Sequence, residues 1–394
     1  MSQKISVAVI GAGMAGRTHA NAWRQATTIY ETDKLPPLRY AAICDAYQTF
    51  AKDAARAYGY EKAVTDWHEI ASDPSIDVVS IVVANSMHRE IAVELIKAGK
   101  HVLCEKPLTD NLEDAKAMVE AASEANVITG IGFGYRRQPG IAQIAKMAQS
   151  GELGELIQFT GRYMCDYGLD PSTPIAWRYK GPMGSGALGD VGSHLIDTAE
   201  FICGSIDYVC GGAFTTVIKK RPPTVQGISG GRGISAEAAA TETVENDDAA
   251  TFTAVFKSGA VASLAVSRVS AGDANGLEFE VSGTKGKAYF DMSRAAEIKL
   301  SDLAGSSGLS GKRRILVNPE FPYFANGSSM AFGGVGVTQI DQFTYQARAF
   351  LNQVAGIDEG LPKVPGFNHG YRAMRIQQAI AESAANAGKA VKIN

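Results

Sequence analysis

The sequence predicts an α/β protein of two domains: a doubly wound parallel sheet in residues 1–133, then an α+β domain with a large, mainly antiparallel open sheet in residues 134–394. Up to residue 133, short apolar runs alternate with amphipathic segments, which is typical of a parallel sheet covered by helices. Farther on, the apolar runs are longer and turns separate them, which favours antiparallel pairing. A length of 394 residues also exceeds what one hydrophobic core usually serves.

The first domain is predicted to contain five strands and four helices. The strands are residues 5–10, 40–44, 78–83, 101–104 and 127–133. The helices are residues 15–25, 47–58, 87–98 and 112–125. Gly59 and Gly99 each follow a helix, which is where glycine commonly ends one.

The second domain is predicted to contain six strands, which turns such as Lys257-Ser-Gly259 connect. These strands are residues 156–164, 208–217, 249–256, 260–268, 277–282 and 287–291. One helix is predicted at residues 193–203 and a long one at residues 370–387. Residues 226–248, which are rich in Gly, Ala and Glu, are predicted to form a mobile surface insertion.

A net charge of −3 offers no general attraction to nucleic acid or to anionic lipid. Two short basic runs, Lys219-Lys220-Arg221 and Lys312-Arg313-Arg314, adjoin Gly or Pro and are predicted to be solvated loops. No stretch reaches the length of a membrane span. We therefore expect neither a nucleic-acid partner nor a membrane.

The five cysteines are an odd number without a Cys-x-x-Cys pair, which argues against a disulfide scaffold and fits a reducing compartment. The chain enters its first strand at Ile5 with no basic-then-apolar leader. Together these features predict a cytoplasmic protein.

The first strand leads directly into Gly11-Ala12-Gly13-Met14-Ala15-Gly16, which opens the first helix. Glycine permits the tight turn, the approach of a pyrophosphate to the positive end of the helix, and close packing of helix and strand. A Gly-x-Gly-x-x-Gly pattern alone is weak, and a structural turn is the alternative. Its position between strand and helix favours a dinucleotide site.

Asp45 ends the second strand, where a carboxylate accepts hydrogen bonds from the adenosine ribose hydroxyls and repels a 2′-phosphate. No arginine follows immediately to neutralise such a phosphate. NAD is therefore favoured over NADP. The alternative is an aspartate that only caps the next helix.

Glu105-Lys106-Pro107 follows the strand at residues 101–104, at the carboxyl edge of the parallel sheet where ligands of doubly wound folds lie. An ammonium at that edge can stabilise negative charge on a reacting oxygen. By itself, however, Lys106 would more often be an exposed surface lysine.

Asp190 and His194 are four residues apart at the start of a predicted helix, which places both on one face. A carboxylate beside a histidine orients the imidazole and makes it more basic, as a general base requires. The glycine-rich segment 184–189 before them allows backbone to approach a ligand closely. An ion pair at a helix start is the alternative.

Other chemistries have little support in the sequence. The six histidines include no His-x-x-x-His pair and no cluster with cysteine, so no metal site is expected. The sequence also has no P-loop.

In order along the chain, these motifs resemble the glucose-fructose oxidoreductase and inositol dehydrogenase (Gfo/Idh/MocA) family. The resemblance rests on the glycine motif, Asn85-Ser-Met-His88, Glu105-Lys106-Pro107, Tyr135-Arg136 and Gly189-Asp190-Val-Gly-Ser-His194-Leu-Ile-Asp197. It spans both halves of the chain. Family members commonly have Thr-Pro before the asparagine, whereas Val83-Ala84 stand here.

The resemblance implies that Lys106, Asp190 and His194 form the catalytic triad, with His194 as proton acceptor. It also places Asn85 and His88 beside the nicotinamide, and Glu105 and Lys106 at the cofactor. The segment Ala176-Trp177-Arg178 is similar to members that act on cyclitols, pyranoses or anhydro-sugars.

Within that segment, Trp177 is expected to stack on a sugar face, and Arg178 or Tyr163 to hydrogen-bond hydroxyls. We therefore expect an NAD-dependent dehydrogenase that oxidises one ring hydroxyl of a sugar, anhydro-sugar or cyclitol to a ketone. The alternatives are an NADPH-dependent keto-sugar reductase and a non-catalytic, cofactor-sensing regulator of the same fold. A homo-oligomer, tetramer before dimer, is expected through an open apolar sheet face.

Overall fold

The structure is a computed structural model that describes residues 4–30, 34–223, 240–302, 311–328 and 330–393. Residues 226–239 of the predicted surface insertion lie outside these ranges. The chain forms two compact units. The first comprises Met1–Gln138, Pro322–Ala331 and Thr338–Arg372, and the second comprises Pro139–Phe321, Phe332–Val337 and Ala373–Asn394.

The first unit contains a six-stranded sheet in which every described pair of neighbours is parallel, in the order β3-β2-β1-β4-β5-β6. Its strands are β1 (Ile5–Ile10), β2 (Leu38–Cys44), β3 (Lys62–Val64), β4 (Val78–Ile81), β5 (His101–Cys104) and β6 (Thr129–Ile131). Its early helices are α1 (Met14–Gln25), α2 (Gln48–Tyr58), α3 (His68–Ser72), α4 (His88–Lys97) and α5 (Leu112–Glu124). The strand order reverses between β1 and β4, which is where doubly wound folds bind ligands.

The apolar sequence of β1 explains why this strand lies at the centre of the sheet. All six residues of β1 are buried, as expected for a central parallel strand that helices cover on both faces. The helix α2 ends at Gly59, whose φ of +67° lies in the left-handed region that glycine adopts without strain.

The second unit contains a nine-stranded sheet in the order β16-β15-β14-β13-β7-β12-β11-β8-β17, and a separate pair, β9 and β10. Neighbours are antiparallel except β7 and β12, which are parallel. The sheet is therefore mixed and mostly antiparallel, as the sequence predicts.

The elements of the second unit begin with α6 (Pro139–Gln149), β7 (Leu156–Met164) and α7 (Ser193–Cys203). The strands that follow are β8 (Ile206–Thr215), β9 (Lys220–Arg221), β10 (Glu242–Thr243), β11 (Ala249–Phe256), β12 (Val261–Ser267), β13 (Gly276–Gly283), β14 (Gly286–Asp291), β15 (Glu297–Asp302), β16 (Arg313–Leu316) and β17 (Val391–Lys392). Buried and more exposed residues alternate along β11, so the sheet has one buried face.

Two helices come late in the chain, α8 (Gln339–Ala355) and α9 (Phe367–Ala385). The helix α8 belongs to the first unit, where Phe350 packs edge-on against Trp23 of α1 with ring centroids 6.2 Å apart. The sequence predicts that all residues after 133 belong to the second domain, so the prediction does not include this return of the chain to the first unit. The reason is that hydrophobic periodicity shows that a helix has an apolar face but not which partner covers it.

Arg221 corrects one prediction, because it lies in a basic run predicted to be a solvated loop but is fully buried. Its guanidinium donates to the main-chain carbonyl of Asp170 at 2.8 Å and to that of Gly168, and it lies 4.1 Å from the centre of the Tyr179 ring. A buried charge is tolerated where hydrogen bonds satisfy it. Charge density along the sequence does not show such partners.

Asn246, Asp247 and Asp248 correct a second prediction, since they lie in the part of residues 226–248 that the structure describes and none is exposed. These three residues form part of the interior of the second unit rather than a surface insertion. Across the described parts of the chain, no helix is long and apolar enough to cross a membrane.

Candidate active site

The glycine loop of the first unit requires glycine at two positions. A Cβ on Gly11, whose φ is +107°, would lie 2.1 Å from the carbonyl oxygen of Val82. A Cβ on Gly16 would lie 1.9 Å from the carbonyl oxygen of Gly11, where α1 crosses the loop. Around Gly13 a Cβ would meet nothing within 4 Å, so the loop is open on that side.

The start of α1 is suited to an anion. Gly13 is the N-cap residue, no side chain caps the helix, and the first turn contains no acidic residue. Gly13, Met14 and Ala15 are exposed. The first amides of a helix lack internal partners and lie at the positive end of its dipole. These residues therefore suit the pyrophosphate of a dinucleotide.

Asp45 follows β2 and bonds both to the glycine loop and to the start of α2. One carboxylate oxygen accepts from the main-chain N–H of Ala12 at 2.8 Å, and the other accepts from that of Tyr47 at 2.9 Å. Tyr47 is the N-cap residue of α2, so Asp45 does support the helix start, which was the alternative interpretation. An ionised carboxylate has about four acceptor positions, so it retains capacity for ribose hydroxyls.

The surroundings of Asp45 are acidic. Burial raises the pKa of the adjacent Cys44 thiol to about 12, and the charges of Asp45, Asp66 and Glu69 add to that increase in the pKa. Three carboxylates thus contribute negative potential at this end of β2. The 2′-phosphate that distinguishes NADP from NAD would meet like charge at this place.

Glu105 is held in a buried network that the motif analysis missed. The His19 ring of α1 lies with Nε2 3.0 Å from a Glu105 oxygen and Nδ1 3.1 Å from the Ser80 hydroxyl. The Trp23 indole N–H also donates to Ser80, at 3.0 Å. The other Glu105 oxygen accepts from the main-chain N–H of Lys106 at 3.2 Å.

Donor and acceptor chemistry fixes the directions of two of these bonds. The carboxylate only accepts, so the bond to Glu105 requires a hydrogen on Nε2 of His19. The indole only donates, so the Ser80 hydroxyl oxygen accepts from Trp23. Gly132 makes room for the carboxylate, because a Cβ there would lie 2.2 Å from a Glu105 oxygen. The feature that could have pointed to this network is His19, a polar residue on the buried face of α1.

Asn85 begins the turn after β4, and His88 begins α4. His88 is 1% exposed, and its Nδ1 lies 3.1 Å from the carbonyl oxygen of Leu108 while its Nε2 lies 3.2 Å from that of Val83. Burial lowers the pKa of His88. The imidazole therefore contacts main chain on both sides, next to the turn that starts at the half-buried Asn85.

In the second unit, Asp190 lies in a single π-helical turn, Leu188–Gly192, directly before α7. The residue is 5% exposed, and one of its carboxylate oxygens accepts from the Tyr167 hydroxyl at 2.7 Å. The Arg178 Nε lies 3.4 Å from the same oxygen. The predicted helix start is therefore a π-helical turn, which is wider than an α-helical one.

His194 is half-buried in the first turn of α7, and its ring centroid lies 6.2 Å from that of Tyr163. Tyr163 is 4% exposed, and its hydroxyl donates to the Asn275 side-chain oxygen at 2.7 Å. Its oxygen can therefore act towards a ligand only as an acceptor.

Trp177 and Arg178 form a stacked pair, with the guanidinium carbon 4.3 Å from the centre of the indole ring. Both side chains are half-buried. Since Arg178 also pairs with Asp190, the structure connects an aromatic face, a cation and the predicted catalytic carboxylate. Tyr167, which donates to Asp190, belongs with these three residues, but no motif in the sequence identifies it.

The predicted residues divide between the units. The glycine loop, Asp45, Asn85, His88, Glu105 and Lys106 belong to the first unit, and Tyr163, Trp177, Arg178, Asp190 and His194 belong to the second.

Comparison with known proteins identifies the family. The description "Oxidoreductase family, NAD-binding Rossmann fold" matches residues 5–133, and "GFO/IDH/MocA C-terminal domain" matches residues 141–289. A levoglucosan dehydrogenase from Pseudarthrobacter phenanthrenivorans is 34% identical, over 97% of this chain and 97% of its own. The chain belongs to the GFO/IDH/MocA oxidoreductase family.

Other relatives of this GFO/IDH/MocA member agree with that assignment. A scyllo-inositol 2-dehydrogenase (NAD(+)) from Bacillus subtilis is 28% identical over 78% of this chain and 80% of its own length. A solved levoglucosan dehydrogenase in complex with NADH has a TM-score of 0.90 and 30% identity, and the match covers 100% of both chains. The predicted family, fold class and NAD-binding first half are confirmed.

Proposed function

We propose that this protein is an NAD-dependent dehydrogenase that oxidises a secondary ring hydroxyl of a sugar, anhydro-sugar or cyclitol to a ketone. The observation that carries the proposal is the buried Asp190 carboxylate with Arg178 and Tyr167 at the start of the helix that bears His194. This group lies in a chain whose first half is an NAD-binding fold. An anhydro-sugar and a cyclitol are the substrates in the names of two relatives.

The glycine loop and Asp45 support NAD as the cofactor. The open space at Gly13 and the amides at the start of α1 would hold the pyrophosphate. Asp45, with Asp66 and Glu69 nearby, would accept from the ribose hydroxyls and oppose a 2′-phosphate. NAD, when bound, supplies the acceptor for the hydride that leaves the carbinol carbon.

The protein's own residues would manage the proton. His194 takes the hydroxyl proton as the carbon–oxygen double bond forms, and Asp190 orients the substrate or the imidazole. The Lys106 ammonium donates a hydrogen bond to the reacting oxygen and stabilises the negative charge that develops there. Glu105 positions this lysine through the main chain.

Substrate recognition would use the stacked pair. Trp177 presents an apolar surface to the C–H face of a ring, and Arg178 donates to its hydroxyls. Tyr163, which already donates to Asn275, would accept from a hydroxyl. These contacts suit a compact, neutral, hydroxyl-rich ring.

We further propose a cytoplasmic homo-oligomer, tetramer before dimer. The odd cysteine count without a Cys-x-x-Cys pair supports a reducing compartment. Val261 of β12 is an exposed apolar residue on the less buried face of that sheet, and it supports an association surface there. Light scattering on the purified protein would measure the mass of the assembly, and a monomer would contradict the proposal.

The activity is tested by following NADH formation with a panel of cyclic polyols, including levoglucosan, myo-inositol, scyllo-inositol and glucose. Wild-type protein should reduce NAD with at least one of them, and the His194→Ala variant should not do so at a comparable rate. NAD reduction with none of the ring polyols would count against the proposed substrate class. Equal rates for both proteins would count against the proposed base.

A further inference from the structure

Asp247 is a fully buried carboxylate of the second unit, and no motif in the sequence identifies it. Its carboxylate accepts three main-chain hydrogen bonds from the glycine-rich segment before the π turn. One oxygen accepts from Gly184 at 2.8 Å and Gly186 at 3.0 Å, and the other accepts from Leu188 at 2.8 Å. The main-chain carbonyl of Asp247 also accepts from the N–H of Ala187, at 2.9 Å.

These bonds lead directly to the predicted catalytic residues. The carbonyl of Gly186, whose N–H donates to Asp247, accepts from the N–H of Asp190 at 2.9 Å. Leu188, which also donates to Asp247, is the first residue of the turn that contains Asp190. The helix α7, which contains His194, follows that turn without a break. The same segment therefore determines the position of His194.

The approach of the two segments is too close for a side chain at Gly186. A Cβ there would lie 2.1 Å from the Asp247 carbonyl oxygen. The absence of a side chain at Gly186 therefore leaves room for the main chain of Asp247. The Asp247 carboxylate in turn accepts hydrogen bonds from the amides of this segment.

The residues on either side of Asp247 fix Arg178 in the same way. The Asn246 amide donates to the Arg178 carbonyl at 3.1 Å. Arg268, which is paired with Asp248 at 2.8 Å, donates to that carbonyl at 2.7 Å. Residues 246–248 thus support both Asp190 and its partner Arg178.

We propose that Asp247 is a positioning residue, whose carboxylate holds the segment 184–188 and thereby sets the placement of Asp190 and His194. The role rests on the proposed function, since it acts through residues of that reaction. Asp247 does not take part in proton transfer. Its contribution is to keep the turn in one conformation, because small misplacements of catalytic groups reduce rates strongly.

Asp247→Asn is the informative substitution, because it keeps the size of the side chain and replaces one acceptor oxygen with a donor. At least one of the three amides would then face an N–H instead of an oxygen. Glu297→Gln is a matched control in the same unit. Glu297 is 6% exposed and its carboxylate is bonded to Arg294 at 2.6 Å and to Arg314, far along the chain from segment 184–188.

The experiment measures amide hydrogen exchange in peptides that cover residues 184–192, together with turnover on the best polyol of the panel. In Asp247→Asn, exchange in this segment should rise about tenfold or more, because the amides open more often. Turnover at saturating substrate should fall about tenfold or more, and the pH dependence of turnover should shift, while the dissociation constant for NAD stays within about twofold. Glu297→Gln should match wild type in all four measurements.

Unchanged exchange in Asp247→Asn would overturn the proposal, as would faster exchange with wild-type turnover and pH dependence. A loss of turnover of the same size in Glu297→Gln would indicate general destabilisation instead. If Asp247→Asn does not fold, exchange in wild-type protein is the test: the amides of Gly184, Gly186 and Leu188 should be strongly protected, and exchange as fast as in an open loop would overturn the proposal. If wild-type protein oxidises none of the polyols, the proposed function fails, and the exchange experiment alone still decides whether Asp247 holds the segment.

Discussion

The His19 imidazole lies 3.0 Å from the Glu105 carboxylate in the interior of the first unit. His19 belongs to α1, the helix that begins in the glycine loop, and Glu105 directly precedes Lys106. One helix therefore presents its first amides for a phosphate and, one turn later, fixes the residue beside the lysine. The position of Lys106 and the position of the glycine loop are coupled through α1.

The first prediction follows from this pair. His19→Ala removes the donor to Glu105 and leaves a largely buried carboxylate with less compensation, so the free energy of unfolding should fall by about 1–3 kcal/mol. Turnover should fall as well, since Lys106 loses part of its support. Thermal unfolding and NAD reduction would be measured beside His68→Ala, which removes an exposed histidine of the same unit. A His19→Ala protein as stable and active as that control would exclude the coupling.

The second prediction concerns cofactor choice. Wild-type protein should bind NADH about tenfold or more tightly than NADPH, because a 2′-phosphate would meet the carboxylates of Asp45, Asp66 and Glu69. Titration of cofactor fluorescence gives both dissociation constants. Asp66→Asn, which removes one of these charges, should narrow the difference without altering the glycine loop. Equal or tighter binding of NADPH by wild type would refute the assignment.

Most of the fold could be predicted because the strands are defined by local patterns. The bounds of β1, β5, β7, β11 and α7 agree with the sequence prediction. The short elements β3 and α3 were missed, since three and five residues are too few to show a period. The helix α8 was also missed, although Thr338 and Asp341 form a capping box at its start and Gly356 ends it.

The candidate site could be predicted only where its residues lie in compact motifs. Lys106 and the glycine loop follow strands directly, so their place at the edge of the sheet follows from the chain order. Tyr167 lies 23 residues before Asp190, and His19 lies 86 residues before Glu105. Such pairs form only when the chain folds. Asp247 was misplaced for the same reason, because its partners are main-chain amides that leave no signal in side-chain composition.

The third prediction concerns His194 as the general base. His194→Ala should lower the rate of oxidation by about a hundredfold or more, which is the usual share of general base catalysis. The dissociation constant for NAD should barely change. Wild-type turnover should fall as the pH is lowered, and in the variant this fall should be shallower, because the group that must lose a proton is gone. A variant that keeps most of its turnover on the best substrate would show that the proton goes elsewhere.

The fourth prediction separates two roles for Lys106. Lys106→Met keeps the apolar stem and removes the ammonium. If the charge stabilises the reacting oxygen, turnover at saturating NAD should fall about a hundredfold or more, with little change in the dissociation constant for NAD. Lys97→Met, which replaces an exposed lysine in the last turn of α4, is the control and should behave as wild type.

The opposite pattern would assign the lysine to the cofactor. If Lys106 only anchors a phosphate or ribose, the loss should appear as weaker NAD binding, and turnover should recover once cofactor is saturating. Measuring both quantities on the same variant separates a reduced chemical rate from reduced cofactor occupancy. Near-normal values of both would remove Lys106 from the reaction, and the motif Glu105-Lys106-Pro107 would then serve to shape the end of β5, with Glu105 bonded to His19 as its functional centre.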